Sequence, residues 1–330
     1  RSRRVETPTR PLDVMGFVLM SVALSCLIVF LGKGQENGWL HSDIAFILLV
    51  FFILFGVAAA AWFVFCPNPL FPRRLLAYPH YWLGLVTMIL LSVNAYGFFF
   101  LIPVYLERLH SYSTLQAGLI MVPGALTTCF ATIASGLLSD RIKPKWVCFF
   151  FLVGAALASL WYRTDLDTPH ASLVYDYIFW GFCVGGTFTP VILLSLAVLD
   201  DDDVANGSTL LNVVRLIAGS VGTSLATSLL SSRRDIFYDA LSNNMLPGSY
   251  GANAFSDMLR SMVPQAGTYA DPSASAAFRH LGHELIASRA YSFAFEATFQ
   301  YLALFMLAAA IVVIWVRSSW AALDRTASST

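Results

Sequence analysis

The chain has 330 residues, of which 57% are hydrophobic and only 12% charged, and its twenty basic and twenty acidic side chains cancel. Its mean hydropathy is +0.68. A soluble domain carries about a quarter charged residues, so this composition excludes a soluble globular domain, and the zero net charge gives no footing for nucleic acid. It reads as an all-α integral membrane protein crossing the bilayer several times. Arg1 stands where a methionine would open a chain, and no cleavable leader precedes the first apolar run, so the sequence reads as part of a longer protein. Cys26, Cys66, Cys129, Cys148 and Cys183 lie in or at the ends of apolar runs without metal-type spacing and read as free thiols.

Residues 1–11 form a basic, proline-bearing cytoplasmic linker. Two spans follow, about Leu12–Leu31 and Ile44–Phe65, joined by a Gly/Gln/Asn turn with Trp39 at the interface, so that 12–66 is one pair. A proline-rich loop with Arg73 and Arg74 leads to span three, about Tyr81–Tyr105, which is unusually aromatic and carries Asn94 near its middle. Span four is about Thr114–Leu138. Its Pro123 would cripple a soluble helix but is tolerated in a membrane, where neighbours re-satisfy the freed carbonyl. Span five is about Trp146–Trp161, span six Leu173–Leu199, span seven Ala205–Leu230 and span eight Ser292–Val316. Asp200–Asp203 reads as a solvated acidic loop, 231–291 as a long polar outer loop, and 317–330 as a cytoplasmic tail. Within the outer loop, Phe278, Leu281, Leu285 and Ile286 recur at helical spacing opposite Arg279, His280, His283 and Glu284, the pattern of an amphipathic helix lying on the membrane.

Lysine and arginine in short loops set the orientation. With Arg1 inside, the inner segments carry eleven basic residues and the short outer loops three, Lys33, Arg108 and Arg163. Both ends of the chain are therefore expected in the cytoplasm.

The turn Gly136-Leu137-Leu138-Ser139-Asp140-Arg141-Ile142-Lys143-Pro144-Lys145 resembles the G-x-x-x-D-R-x-x-x-[KR] signature of the major facilitator superfamily. Leu12-Asp13-x-x-Gly16 with Gly34-Gln35 and Trp39 resembles the start of the seventh span in its fourteen-span drug:proton antiporter subfamily, the EmrB/QacA type. Ala117-Gly118-x-x-x-x-Pro123 resembles that subfamily's tenth span, and Asn212-x-x-Arg215 with Gly219 and Gly222 its thirteenth, with Ala218 where the family often has glycine. Gly181-x-x-x-Gly185-Gly186-x-x-x-Pro190 is similar to the glycine-proline antiporter motifs. The resemblance implies two linker spans, then a six-helix transport bundle over 81–316 built from two inverted three-helix repeats. It also implies that spans three and six line a central cavity, four and seven flank it, and five and eight face lipid.

Each candidate residue carries a plainer reading beside the functional one. Arg215, mid-span and expensive to bury, reads as a cavity or coupling charge, or as a structural arginine bonded across the bundle. Asn212 goes with it through the motif. Asn94 reads as a substrate contact or an interhelical hydrogen bond. Tyr96, Phe98 and Trp180 form an aromatic cavity wall, or core packing. Gly136, Asp140, Arg141 and Lys145 form a conformational latch at the cytoplasmic surface, its aspartate suited to face a helix N-terminus. Pro123, Gly181, Gly185, Pro190, Gly219 and Gly222 are helix-packing sites. Asp176 and Glu296 read as interfacial. His280-x-x-His283-Glu284 lacks a third ligand, and no metal site is expected.

The resemblance implies proton-coupled export of amphipathic drugs or toxic small molecules across the inner membrane by alternating access, driven by the proton gradient with no cofactor. A periplasmic adaptor and an outer-membrane channel are partners it allows. Export of another small metabolite such as a siderophore is an alternative, as is a membrane scaffold or sensor acting through the outer segment. A membrane-embedded enzyme would need His, Asp or Glu clustered at one depth, and the spans offer no such cluster.

Overall fold

A computed structural model describes residues 13–34, 43–66, 73–162, 164, 168–243 and 272–315. The described residues form helices α1 (Val14–Gly34), α2 (Asp43–Phe65), α3 (Pro79–Leu109), α4 (Thr114–Arg141), α5 (Pro144–Trp161), α6 (His170–Leu196), α7 (Asp201–Asn243) and α8 (Pro272–Trp315), with a 3₁₀ turn at Arg73–Ala77. All eight are long and apolar enough to cross a membrane. Each needs about 20 apolar residues to span about 30 Å of hydrocarbon, where only internally bonded backbone survives. Residues 1–12, 35–42 with Trp39, and 316–330, and with them the linker and tail readings, lie outside the described residues.

The ends of the helices follow local chemistry. Pro79 and Pro144 open α3 and α5, where a missing N–H costs nothing. Ser113 caps α4 in a reciprocal box: its hydroxyl accepts from the Gln116 backbone N–H, and the Gln116 side-chain oxygen accepts from Ser113 N–H at 2.9 Å. At the start of α1, Asp13 accepts from Gly16 N–H at 2.8 Å and from Trp62 Nε1 at 2.9 Å, pinning α1 to α2. A side chain at Gly16 would collide with that carboxylate.

Helices α3 to α8 form one bundle, while α1 and α2 pack on each other and reach it principally through α7. The bundle has an exchange symmetry: α4 packs on α6 as α7 packs on α3, α5 on α6 as α8 on α3, and α5 meets α8. Helices α3 and α6 sit at the centre, with 67% and 61% of their apolar windows buried, against 22% for α4 and 33% for α7. Helices α5 and α8, expected to face lipid, are more enclosed than α4 and α7 because they pack against each other behind the two central helices.

Three expectations need correction. The polar outer loop 231–291 is largely helix: α7 runs 43 residues to Asn243 and α8 begins at Pro272, leaving 244–271 outside the described residues. At 1.5 Å per residue α7 is about 64 Å long, twice the hydrocarbon thickness. Hydropathy marks where lipid ends, and a helix continues past that point when partners hold it. Arg233 donates to the Tyr301 hydroxyl, Arg234 donates to Tyr291 at 3.0 Å, and the Tyr238 hydroxyl lies 3.1 Å from His283 Nδ1. For the same reason the amphipathic stretch 278–286 is no separate surface helix. It is the opening of α8, continuous with the span. Finally, the Asp200–Asp203 run is solvated as expected except at the buried Asp203, but it is not a loop: Asp201, Asp202 and Asp203 form the first turn of α7, where carboxylates complement the helix dipole, and Asp200 accepts from the Tyr78 hydroxyl at 2.8 Å.

Candidate functional site

The two helix crossings that flank the bundle position the glycine candidates and Arg215. Where α4 crosses α6, glycines let backbones meet: a Cβ at Gly181 would lie 2.6 Å from Gly124 O, and one at Gly185 would strike the Thr128 backbone. Threonines use the gap. Thr128 Oγ1 donates to Gly124 O at 2.9 Å and lies 3.0 Å from Gly181 O, and Thr132 Oγ1 stands between Thr128 O and Gly185 O at 2.8 and 3.0 Å. Thr189 Oγ1 returns a bond to Thr132 O at 3.2 Å. The sequence reading missed these threonines, although Thr128-x-x-x-Thr132 repeats the spacing of Gly181-x-x-x-Gly185 and could have flagged them. Gly136 lies near the Thr189 methyl, and Pro190 is buried within α6.

Where α7 crosses α3, a Cβ at Gly222 would strike the Val93 backbone, and one at Gly219 would lie 2.8 Å from the Tyr96 ring. Tyr96 is half-buried over Gly219. Here the small polar side chains bond to their own helix: Asn212 Nδ2 donates to Ser208 O, Ser220 to Leu216 O and Thr227 to Thr223 O. Asn212 is exposed. Arg215 is partly buried on the same helix, fourteen residues after Asp201, and its Nε is shielded with no hydrogen-bond partner among the described residues. No ion pair to Arg215 is formed among them.

The remaining candidates sit elsewhere. Of their two readings, Phe98 and Trp180 take core packing here: both are 0% exposed, stacked at 4.7 Å, with Phe98 also against Phe299 and Tyr162. No ring face is left for a ligand in this conformation. Asn94 is likewise 0% exposed and donates through Nδ2 to Leu302 O at 2.8 Å, an interhelical bond rather than a substrate contact. Asp140 and Arg141 are exposed, and Asp140 caps no helix: α5 starts from Lys143 without a side-chain cap. Lys145 instead donates to Ile314 O, tying α5 to the end of α8. Glu296 is exposed and accepts from Gln300. At the α3–α4 end, His110 Nε2 lies 3.0 Å from the Tyr105 hydroxyl, and burial lowers its pKa from the ordinary imidazole value. Tyr162, after α5, is pushed well above the usual phenol range, first by burial and then by the neighbouring Tyr105, Asp176 and Tyr177.

The described residues thus form eight apolar helices, two of them central and the others arranged by an exchange of three-helix units. Residues 14–223 match the profile of the Major Facilitator Superfamily. The chain belongs to the major facilitator superfamily. Among its facilitator relatives, the uncharacterized MFS-type transporter YhcA of Bacillus subtilis is 24% identical over 320 residues, covering 95% of this chain and 59% of YhcA. The multidrug export protein EmrB of Escherichia coli K12 is 23% identical over 264 residues, covering 79% and 52%. The lincomycin resistance protein LmrB of Listeria innocua is 21% identical, covering 72% and 50%. The chain thus spans about half the length of the curated facilitator relatives it matches. In fold it is similar to a bacterial homologue of the human lysosomal transporter Spinster, solved inward-facing and occupied, with a TM-score of 0.54 at 16% identity over 90% of this chain and 66% of that one. It is a multi-pass membrane protein of facilitator fold.

Proposed function

We propose that this chain is the C-terminal part of a proton-coupled exporter of amphipathic small molecules, residing in the inner membrane with both ends of the segment cytoplasmic. Residues 12–66 serve as a linker pair and 81–316 as the C-terminal bundle, which rocks against a second bundle around the substrate. Relatives named for multidrug export and for lincomycin resistance support the substrate class. The observation that carries the reading is Arg215. A cation at mid-span costs about 2.5–3.5 kcal/mol on insertion scales, and here its Nε is shielded without a partner among the described residues. A group that expensive and that unsatisfied is retained for something outside its own helix: substrate, cavity water or the opposing bundle. Asn212 lies about one turn before it on α7, and Gly219, covered by the Tyr96 ring, about one turn after it. Gly136, Asp140, Arg141 and Lys145 act as the cytoplasmic latch, with Asp140 free to find its partner in another conformation. A periplasmic adaptor and an outer-membrane channel complete the route where the envelope has two membranes.

The test is efflux of fluorescent amphipathic dyes from vesicles bearing the full-length protein, normalised to protein level. Arg215→Ala is expected to insert normally and lose at least tenfold in pH-gradient-driven efflux, with Arg215→Lys restoring part of it, because lysine lacks the planar fork. Wild-type efflux from Arg215→Ala overturns the reading.

A further inference from the structure

At the α3–α4 end, Tyr112, Gln116, Leu119, Ile120, Pro123 and Val174 line an open cleft of about 370 Å³ between α4 and α6. That volume falls in the range of small-molecule sites, which are mostly apolar with a few fixed polar groups. Two independent features leave polar capacity on residues that line it.

The first is Gln116. Its side-chain oxygen is committed to Ser113, accepting from the backbone N–H at 2.9 Å and from the hydroxyl at 3.2 Å. Only an oxygen can accept the backbone N–H, so the cap fixes which way round the amide lies. Its Nε2 is left as a donor, with no protein partner among the described residues. The second is Pro123. Having no N–H, it cannot bond the carbonyl of Leu119 one turn earlier in α4, and both residues line the cleft. Below them the site is closed: the Tyr177 ring is seated where Gly124 has no side chain, and Ala117 and Ile120 are 1% and 6% exposed. Pro123 lies nine residues into α4, about 13 Å from the helix start, well away from the start of α7, which leads to Arg215 from the opposite end of the bundle.

We infer that this cleft is a second binding site, for a small apolar molecule carrying a hydroxyl group that accepts from Gln116 Nε2 and donates to the Leu119 carbonyl. The apolar body lies on Leu119, Ile120 and Val174, and the Tyr112 ring borders the opening. The hydroxyl belongs to a free amphipath or to a lipid headgroup. The site stands whether or not Arg215 takes part in transport, since it shares no residue with the α3–α7 crossing.

The experiment uses 3-azioctanol, a photoreactive medium-chain alcohol, on the full-length protein in phosphatidylcholine nanodiscs, with labelled residues located by peptide mass spectrometry. Saturable labelling between Tyr112 and Pro123, displaced by n-octanol, is expected. Gln116→Glu keeps the oxygen that caps α4 and removes the donor, and should cut labelling at least fivefold with an unchanged elution profile. Val174→Phe fills the cleft from α6 and should do the same. Non-saturable labelling, or labelling unchanged in both variants, overturns the site. Discs containing phosphatidylglycerol, whose headgroup bears hydroxyls, identify the source: protection there assigns the site to lipid, and equal labelling assigns it to free amphipaths.

Discussion

The two flanking crossings share one geometry and spend their polar groups differently. Both bring a glycine-bearing helix against a neighbour's backbone, Gly181 and Gly185 against α4 and Gly219 and Gly222 against α3. At the α4–α6 crossing the hydroxyls of Thr128, Thr132 and Thr189 reach across the gap. At the α3–α7 crossing the Tyr81 hydroxyl donates to Gly207 O at 2.8 Å near the start of α7, but farther along Asn212, Ser220 and Thr227 fold back on α7, and Arg215 has a shielded nitrogen unpaired among the described residues. In hydrocarbon a polar group must be satisfied, and each satisfied pair fixes two helices together. One crossing is thereby a saturated seam. The other holds polar capacity in reserve, which is what a surface needs if it is to bind something transient.

The largest way to break this comparison is to remove the shared geometry. Gly185→Leu and Gly222→Leu each force a side chain into a facing backbone, and overpacking costs about 1–3 kcal/mol or more where backbone must move. Both should lower yield and melting temperature, measured by fluorescence-detected gel filtration after heating. Normal melting of either would mean that its crossing is looser than described.

Next is the reserved charge. Arg215→Ala should separate the crossings by readout, losing efflux at least tenfold while its melting temperature stays within a few degrees of wild type. A large fall in melting temperature would instead make Arg215 structural. The converse variant is Thr128→Val with Thr132→Val, which removes the bridges at nearly constant shape. Interhelical hydrogen bonds in membranes average about 0.6 kcal/mol, so the double variant should lose about 1 kcal/mol in a denaturation series, whereas Ser220→Ala with Thr227→Ala on α7 should lose less.

The smallest effect lies outside the membrane, at the turn that joins α3 to α4. Burial lowers the pKa of His110 in the folded protein. The unfolded imidazole then takes up a proton at higher pH than the folded one, so stability should fall as pH drops below about 6.5. His110→Phe should flatten that slope in melting curves between pH 7 and 5, by a few tenths of a kcal/mol given its partial exposure.

How much was legible beforehand depends on the kind of residue. Each of the eight spans was readable from its apolar length, and the family from Gly136–Lys145 with Asn212-x-x-Arg215. Close approach at Gly181, Gly185, Gly219 and Gly222 was readable as spacing. Which of the two readings, cavity or core, holds for Phe98 and Trp180 was not, because an aromatic run on α3 looks the same whether its rings meet a ligand or Phe299 and Tyr162 from other parts of the chain. Nor was the length of α7 and α8 beyond the lipid, since Arg233 and Arg234 read as polar loop until Tyr301 and Tyr291 are placed opposite them.

By itself, then, the sequence determined that the chain lives in a membrane and where it crosses, because hydrocarbon imposes a length and an apolarity on every span. It also determined that Arg215 needs a partner or water, because its place in the middle of an apolar run sets its depth. Only the tertiary structure decided which polar groups are spent. Whether Thr128, Asn94, Gln116 or Arg215 has a partner depends on atoms far away in the chain, at Gly181, Leu302, Ser113 or nowhere among the described residues. Hydrogen bonds saturate at about 3 Å, and no periodicity in one helix reveals what stands that close on another.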